Sequence, residues 1–121
     1  MIVRTFLTLI FAVSATFGAP AMAETLQTVT SKSQFVNLVS GRELSRFGIR
    51  LSVSPGGSIK GRAFGQPVTG AWTWKGNYFC RDLTYGATTL PTNCQLVQVG
   101  GGTIRFTSDQ GAGESADLRL R

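Results

Sequence analysis

The 121-residue sequence contains no histidine. Histidine is the side chain that most often serves as a general base, and it is the base of Ser-His-Asp and Cys-His catalytic arrangements. Only two cysteines are present, and two cysteines without a histidine do not form a zinc site. We therefore predict a protein that is not an enzyme, with no catalytic residue, no cofactor and no metal.

Acidic residues are also scarce, with six Asp and Glu against twelve Lys and Arg, for a net charge of +6. A catalytic pair of carboxylates could be drawn only from Asp82, Asp109, Glu114 and Asp117, and the last three lie in or beside one polar loop that we expect to be solvated. The excess of positive charge favours an anionic partner, such as a polyanion, a membrane surface or an acidic protein. A basic surface that only serves solubility is the alternative.

No apolar run is long enough to cross a bilayer, which takes roughly 20 residues. The N-terminal run at residues 6–17 follows Arg4 and is followed by the small-residue sequence Ala-Met-Ala. This is the layout of a secretory signal peptide, so we predict that residues 1–23 are cleaved after Ala23. Residues 24–121 would then form a single small domain in the periplasm or outside the cell. An uncleaved membrane anchor is the alternative.

Export determines how the two cysteines are interpreted. In an oxidising compartment, an even pair favours a disulfide, here between Cys80 and Cys94. The bridge closes a loop of about 15 residues, which is worth roughly 3 kcal/mol by loop-entropy arguments. A domain of this size has a modest core, so such a covalent link matters for its stability.

One short helix is predicted near the start of this domain. Ser31 and Gln34 have the spacing of a capping box, and Phe35 and Leu38 recur at helical spacing. Gly41 then stands where a helix-ending glycine belongs. The helix has about two turns and is too short to be stable alone, so its apolar face must pack on another element.

The chain after Gly41 has the pattern of strands. Apolar and polar residues alternate in "FGIRLSV" and "SIKGRAF", and the intervening "SPGGS" predicts a hairpin with a three-residue loop. In that register Arg50 lies opposite Arg62.

Further strands are predicted across the remaining chain. They are separated by a turn after Lys75, a loop at residues 84–93, a glycine turn at residues 100–102 and a loop at residues 109–114. Turn signals about every ten residues predict an all-β fold, a small antiparallel barrel or sandwich of about seven to eight strands, with one short N-terminal helix and one disulfide.

The segment "AWTWKGNYFCRDLTYG" concentrates the aromatic residues of the chain. Its candidate residues are Trp72, Trp74, Tyr78 and Phe79. Trp72 and Trp74 share one side of their strand because side chains alternate with a period of two. Large aromatics beside a disulfide favour the core of a small β domain. A partly exposed platform that stacks on sugars or bases is the alternative.

Three basic residues form the candidate anion-binding site: Arg50, Lys60 and Arg62. They are predicted to lie on the outer face of one hairpin, and like charges directly opposite each other destabilise a strand pair. We predict that this unfavourable pair is retained because the three residues bind an anion. The alternative is that the long side chains spread into solvent, where salt screens their repulsion.

Several segments resemble a known group of sequences. "GRELSR", "WTWKGNYFCRDL", "NCQLVQV" and "TIRFTSDQGAGESADLRLR" are similar to segments of short exported proteins of alphaproteobacteria, and the resemblance covers most of residues 24–121. Some proteins of that group carry the automatic name dihydrodipicolinate reductase.

The residues do not support a reductase. An enzyme of that kind is a longer cytoplasmic protein with a dinucleotide-binding fold, a glycine fingerprint and a histidine-rich substrate motif. The present sequence has no GxGxxG motif after a strand and no histidine. None of the functional residues of such an enzyme can therefore be placed in this chain.

A second, looser resemblance concerns architecture. A small exported β-barrel with one disulfide and a Trp before the first Cys is similar to periplasmic inhibitors of secreted metalloproteases. This resemblance implies a free N-terminal segment that enters the active site of a protease, here residues 24–30.

The function predicted from the sequence is that of a non-catalytic, exported binding module. Its partner would be a protein or an anionic component of the cell envelope, with no nucleotide cofactor and no transmembrane segment after signal cleavage. A periplasmic protease inhibitor is the alternative, and an enzyme comes third.

Overall fold

The computed structural model describes residues 25–121, so the predicted signal peptide lies outside the described residues. Within this range no helix has the length and apolar character needed to cross a membrane. The elements, in chain order, are β1 (Gln27–Thr28), α1 (Lys32–Val39), β2 (Glu43–Arg46), β3 (Ile49–Val53), β4 (Ser58–Ala63), β5 (Gln66–Lys75), β6 (Tyr78–Tyr85), β7 (Thr88–Gly100), β8 (Thr103–Thr107), a 3₁₀ turn (Asp109–Gly111) and β9 (Ser115–Leu120).

The strands form a closed antiparallel barrel. Each strand from β2 to β8 pairs with the next one along the chain, and β9 pairs back with β2 to close the barrel. The predicted all-β class is confirmed, and the β9–β2 pairing makes it a barrel of eight strands rather than a sandwich. The ninth strand, β1, pairs with β7 beyond the end of β6.

The two ends of the barrel are different. Helix α1 and the loop at residues 54–57 lie at one end, which we call the helix end. Three two-residue turns and the loop at residues 108–114 lie at the other, which we call the open end. The three turns are Phe47–Gly48, Phe64–Gly65 and Gly86–Ala87.

Helix α1 begins and ends close to the predicted positions. The Ser31 hydroxyl accepts a hydrogen bond from the Gln34 backbone N–H at 3.2 Å. The Gln34 side chain in turn accepts from the backbone N–H of Thr30 at 3.0 Å, which satisfies a second free donor. Phe35 and Val39 are completely buried, so the helix closes its end of the barrel like a plug.

The first hairpin has the predicted register. Arg50 lies opposite Arg62, and Val53 lies opposite Ile59. The Ser54 backbone N–H donates to the Ser58 carbonyl at 2.9 Å across the three-residue loop.

The predicted loop at residues 84–93 is wrong, because β6 runs to Tyr85 and β7 begins at Thr88. The pairing register shifts between Arg81 and Leu83, which is the signature of a bulge. Pro91 lies at this shift, where its missing N–H removes no regular ladder bond. The threonines and the proline led to the prediction of a loop. In the structure, a bulge accommodates these residues within strand β7.

The two cysteines lie directly opposite each other on β6 and β7. Cys80 and Cys94 are paired residues of the ladder, and a disulfide joins them. The predicted disulfide is therefore confirmed. It fixes the register of β6 on β7 just before the bulge.

Candidate functional site

The aromatic segment fills the helix end of the barrel. Trp72 and Phe79 are each only 4% exposed, Trp74 is partly buried, and Tyr78 lies on the opposite side of its strand from Phe79. The ring of Phe35 lies 5.0 Å from Trp72 and 4.9 Å from Phe79, measured between centroids. These rings pack against the helix and do not form an open platform.

Both indole groups have hydrogen-bond partners. The Trp72 Nε1–H donates to the Ser54 carbonyl, and the Trp74 Nε1–H donates to the Gly76 carbonyl, each at 2.8 Å. A buried indole N–H needs such a partner. The two tryptophans therefore have structural roles at the helix end.

A cavity of about 420 Å³ lies in the barrel interior beyond this aromatic plug. This volume falls in the range of about 300–1,000 Å³ that is usual for small-molecule sites. The wall of the cavity is formed by the inward-facing residues of seven of the eight barrel strands. They include Leu44, Ile49, Leu51, Val53, Ile59, Phe79, Leu83, Phe106, Ala116 and Leu118. We call this cavity the lumen.

The lumen opens at the open end of the barrel. Its inner residues, such as Leu44 and Phe79, are buried. Its outer residues, Ile49 and Leu83, are partly exposed, and Glu114 of the loop at its rim is exposed. The interior of the lumen is thus apolar, and its opening to solvent has polar residues at the rim.

Three charged residues line the lumen, and Arg81 is the one that is partly buried, whereas Arg46 and Glu114 are exposed. Arg81 lies on the inward side of β6 between Phe79 and Leu83, and it lines the lumen. Burial lowers the pKa of the Arg81 guanidinium, while the neighbouring carboxylate of Asp82 opposes this effect. Arginine remains charged in spite of such a shift, so a partly desolvated cation faces the apolar cavity.

The surroundings of Arg81 leave it able to bind a ligand. Its Nη1 donates to the Pro91 carbonyl at 2.8 Å, which holds the side chain at the bulge between β6 and β7. Arg81 also borders a smaller cleft of about 370 Å³ beside the lumen, together with Ser108 and Glu114. Among the described residues, no carboxylate lies within 4 Å of the Arg81 guanidinium. Several of its donors are therefore available to an anion.

Three of the candidate carboxylates are already engaged. Thr92 donates a hydrogen bond to Asp82, and Asn93 donates to Asp109 at 2.8 Å. Asp117 accepts from Arg105, with 2.6 Å between Oδ1 and Nε. Within residues 25–121, no three side chains of the usual metal-ligating types come together.

The predicted anion-binding residues are only partly brought together. Arg50 and Arg62 line one outer groove of about 560 Å³, and they share it with Arg119 and Arg121 of β9 and its end. Lys60 pairs with Ser52 nearer the helix end and does not line the groove. The like-charged pair is thus part of a wider patch of arginines, because β9 closes the barrel next to β2.

The N-terminal segment is held against the barrel from residue 27 onward. Gln27 and Thr28 pair with β7, and Val29 donates its N–H to the Val97 carbonyl at 2.8 Å. Val29 is also only 3% exposed. The resemblance to metalloprotease inhibitors implies a free segment over residues 24–30. Residues 27–29 of this segment are bound to β7 and are therefore not free.

Sequence reasoning missed the lumen and the position of Arg81 on its wall. The available signal was the alternation of β6, in which Arg81 shares the inward side with Phe79 and Leu83. A cation on the apolar side of a strand marks a buried or partly buried charge. Comparison of the chain with protein-family models, curated proteins and solved structures found no match.

Proposed function

We propose that this protein is a non-catalytic binding module that holds a small amphipathic anion in the lumen of its barrel. The ligand is an acyl chain with a carboxylate or phosphate head, a chemistry common in the cell envelope. The single observation that carries the proposal is an apolar cavity of about 420 Å³ with the cation of Arg81 on its wall.

The apolar part of the ligand would lie against the aliphatic wall. Leu51, Leu83 and Ala116 line the lumen and retain partial exposure to solvent. Covering such surface with a hydrocarbon chain gains about 25 cal/mol for each Å² that leaves water. This gain supplies affinity without selecting a particular ligand.

The charged head would be selected by Arg81. A guanidinium binds a carboxylate or phosphate through two parallel hydrogen bonds, and partial burial strengthens them. Arg46 also lines the lumen, near its rim, so a second cation is within the same opening. A neutral head would leave these donors without an acceptor.

Two features of the residues support binding without chemical conversion of the ligand. The chain has no histidine, and Asp82, Asp109 and Asp117 are held by hydrogen bonds. The disulfide and the signal-like N-terminal sequence support a periplasmic or secreted location.

The first test is a calorimetric titration with decanoate and with decanol. We expect decanoate to bind the wild-type protein more tightly than decanol. Arg81→Gln should weaken decanoate binding by about tenfold or more, since a hydrogen bond to a charged group is worth roughly 1.5–3 kcal/mol. Arg81→Lys should retain part of the affinity, and decanol binding should change little.

The second test blocks the lumen. Ala116 lines the lumen on β9, whereas Ala71 is exposed on the outer face of β5. Ala116→Phe should abolish binding of both ligands, and Ala71→Phe should leave it intact. Equal binding to the two variants would place the ligand outside the barrel and refute the proposal.

A further inference from the structure

Two phenylalanines are exposed on neighbouring turns at the open end. Phe47 is 93% exposed and Phe64 is 63% exposed, and they are the two exposed large hydrophobic residues among those the structure describes. Single exposed apolar residues are common on protein surfaces. Two aromatic rings at the tips of adjacent hairpins instead form one apolar contact point.

The backbone at Phe64 has a conformation that is unfavourable for a phenylalanine. Phe64 has φ of +49°, a left-handed conformation that glycine and asparagine adopt much more readily than a bulky residue. Such strain persists where the surroundings maintain it, and it clusters at functional positions. Here a residue that opposes the preference of the turn is present with its side chain in solvent.

The two turns form one unit. The Phe64 backbone N–H donates to the Gly48 carbonyl at 2.8 Å. The ring of Phe64 lies directly against Gly48, where an added Cβ would come within 2.6 Å of its Cε1 atom. Gly48 therefore provides the space in which the ring lies beside the turn of Phe47.

Arginines surround this aromatic pair. Arg46 directly precedes Phe47, Arg62 lies two residues before Phe64, and Arg50 lies opposite Arg62. Arg62 also donates to the Gly65 carbonyl at 2.6 Å, which draws its guanidinium toward the turn. The Glu43 carboxylate reaches Arg50 only at 3.9 Å, in an exposed pair. The tip of the barrel is thus apolar, and the surface behind it is cationic.

We infer that the open end docks onto the surface of an anionic lipid bilayer. The rings of Phe47 and Phe64 would enter the interface, where aromatic side chains are favoured, and the arginines would bind lipid phosphates. A soluble polyanion would satisfy the arginines but would leave both rings in water. In a bilayer, the apolar layer would contact the two rings at the tip, and the negatively charged phosphates would contact the arginines behind them.

Docking in this orientation places the mouth of the lumen against the bilayer, because the lumen opens at the same end. An amphipathic ligand could then pass between bilayer and lumen without crossing water. The docking inference does not depend on the lumen ligand, since Phe47, Phe64, Arg50 and Arg62 do not line the cavity. Ala116→Phe, which blocks the lumen, should leave docking unchanged.

The test measures co-sedimentation of the protein with vesicles. One set of vesicles contains phosphatidylglycerol and phosphatidylcholine, and the other contains phosphatidylcholine alone. The wild-type protein should bind the anionic vesicles and should release them at high salt. Replacing both rings, with Phe47→Ser and Phe64→Asn, should weaken binding about tenfold or more and should not lower the melting temperature, because asparagine suits the left-handed turn.

The charge contribution needs a matched control. Arg50→Gln with Arg62→Gln should weaken binding to anionic vesicles by about tenfold or more, since each arginine near a charged surface contributes about a fivefold factor. Arg42→Gln with Lys75→Gln removes the same charge at the helix end and should have less than about a twofold effect.

Three results would overturn the inference. The first is the absence of binding to anionic vesicles. The second is equal binding by the wild type and by the variant without the two rings. The third is equal weakening by the two charge variants, which would indicate a general effect of net charge. If the first result came with binding to heparin, it would identify a soluble polyanion as the partner.

Discussion

Gly61 lies at a point of close contact between two strands of the barrel. A Cβ at this position would clash with the carbonyl group of Arg50 and would lie 2.9 Å from the Cα of Leu51. The obstructing atoms are backbone, so they cannot move aside as a flexible side chain would. The glycine allows the backbones of β3 and β4 to approach each other closely at this point.

We therefore predict that Gly61→Ala destabilises the protein by about 1–3 kcal/mol, the usual cost of inserting atoms into a packed site. Gly56→Ala is the matched control, since its Cβ would meet only the Ser54 hydroxyl at 3.9 Å. Urea unfolding measures both variants. Equal stability of the two would show that the strands can separate locally at low cost.

Asp117 gives the stability of the protein a dependence on pH. Hydrogen bonds from Arg105 lower the pKa of this carboxyl, burial opposes them, and the charges of Arg105 and Arg46 lower it further. A carboxyl whose pKa is lower in the folded state stabilises the protein above its unfolded pKa of about 3.9. This contribution disappears as the pH falls through the folded pKa.

We predict that Asp117→Asn lowers the melting temperature at pH 7 by less than about 5 °C, because both partners are substantially exposed and solvent screens the pair. The difference from the wild type should narrow below about pH 4 and vanish in stronger acid. Thermal melts from pH 7 to pH 2 measure this. A constant difference across that range would contradict the ion-pair origin.

At the scale of elements, helix α1 contributes the largest of its buried side chains, Phe35, to the core of the barrel. Phe35 is completely buried and contacts the rings of Trp72, Phe79 and Phe106. Its removal leaves a cavity that three large rings cannot fill by small movements. We predict a loss of about 3–5 kcal/mol for Phe35→Ala, a large share of the stability of a small domain.

The control for this prediction lies on the same helix. Asn37 is exposed, and Asn37→Ala should change the free energy of unfolding by less than about 0.5 kcal/mol. A similar small effect of Phe35→Ala would mean that the helix does not plug the barrel in solution.

The disulfide stabilises the β6–β7 hairpin. Cys80 and Cys94 should resist thiol labelling in the absence of a reductant, because they are bonded to each other. Reduction should lower the free energy of unfolding by about 2–5 kcal/mol. The variant with Cys80→Ala and Cys94→Ala should unfold identically with and without reductant. Free labelling of the oxidised protein would contradict the bridge.

Local signals in the sequence account for most of these elements. The capping residues Ser31 and Gln34 identified the helix, and the alternation around "SPGGS" identified the first hairpin with its register. Both depend on contacts between residues close in the chain. The strand over residues 88–93 was missed because it contains Pro91, which a bulge accommodates. No local sequence pattern predicts such a bulge.

At the scale of the whole molecule, closure of the barrel was not predictable. β9 pairs with β2 across most of the chain, and alternation alone fits a sandwich equally well. The lumen exists only because closure brings the inward faces of seven strands around one space. The same closure places Arg119 in the outer groove that Arg50 lines, which the sequence of one hairpin could not show.

The barrel therefore has two different ends, and its cavity opens at only one of them. The helix and its aromatic contacts close one end, and the arginines and exposed phenylalanines surround the other. The central claim is that the space between them holds the chain of an amphipathic anion.

Solution NMR with methyl-labelled protein and decanoate tests this claim most directly. The account predicts saturable shifts of the methyl groups of Leu51 and Leu83 in the lumen, with nuclear Overhauser contacts to the ligand chain. The chemical shifts of the methyl groups of Leu38 on the helix and Leu96 on the outer face of β7 should remain unchanged. Contacts from decanoate to Leu96 without contacts to Leu51 and Leu83 would contradict the account, and so would the absence of saturable shifts.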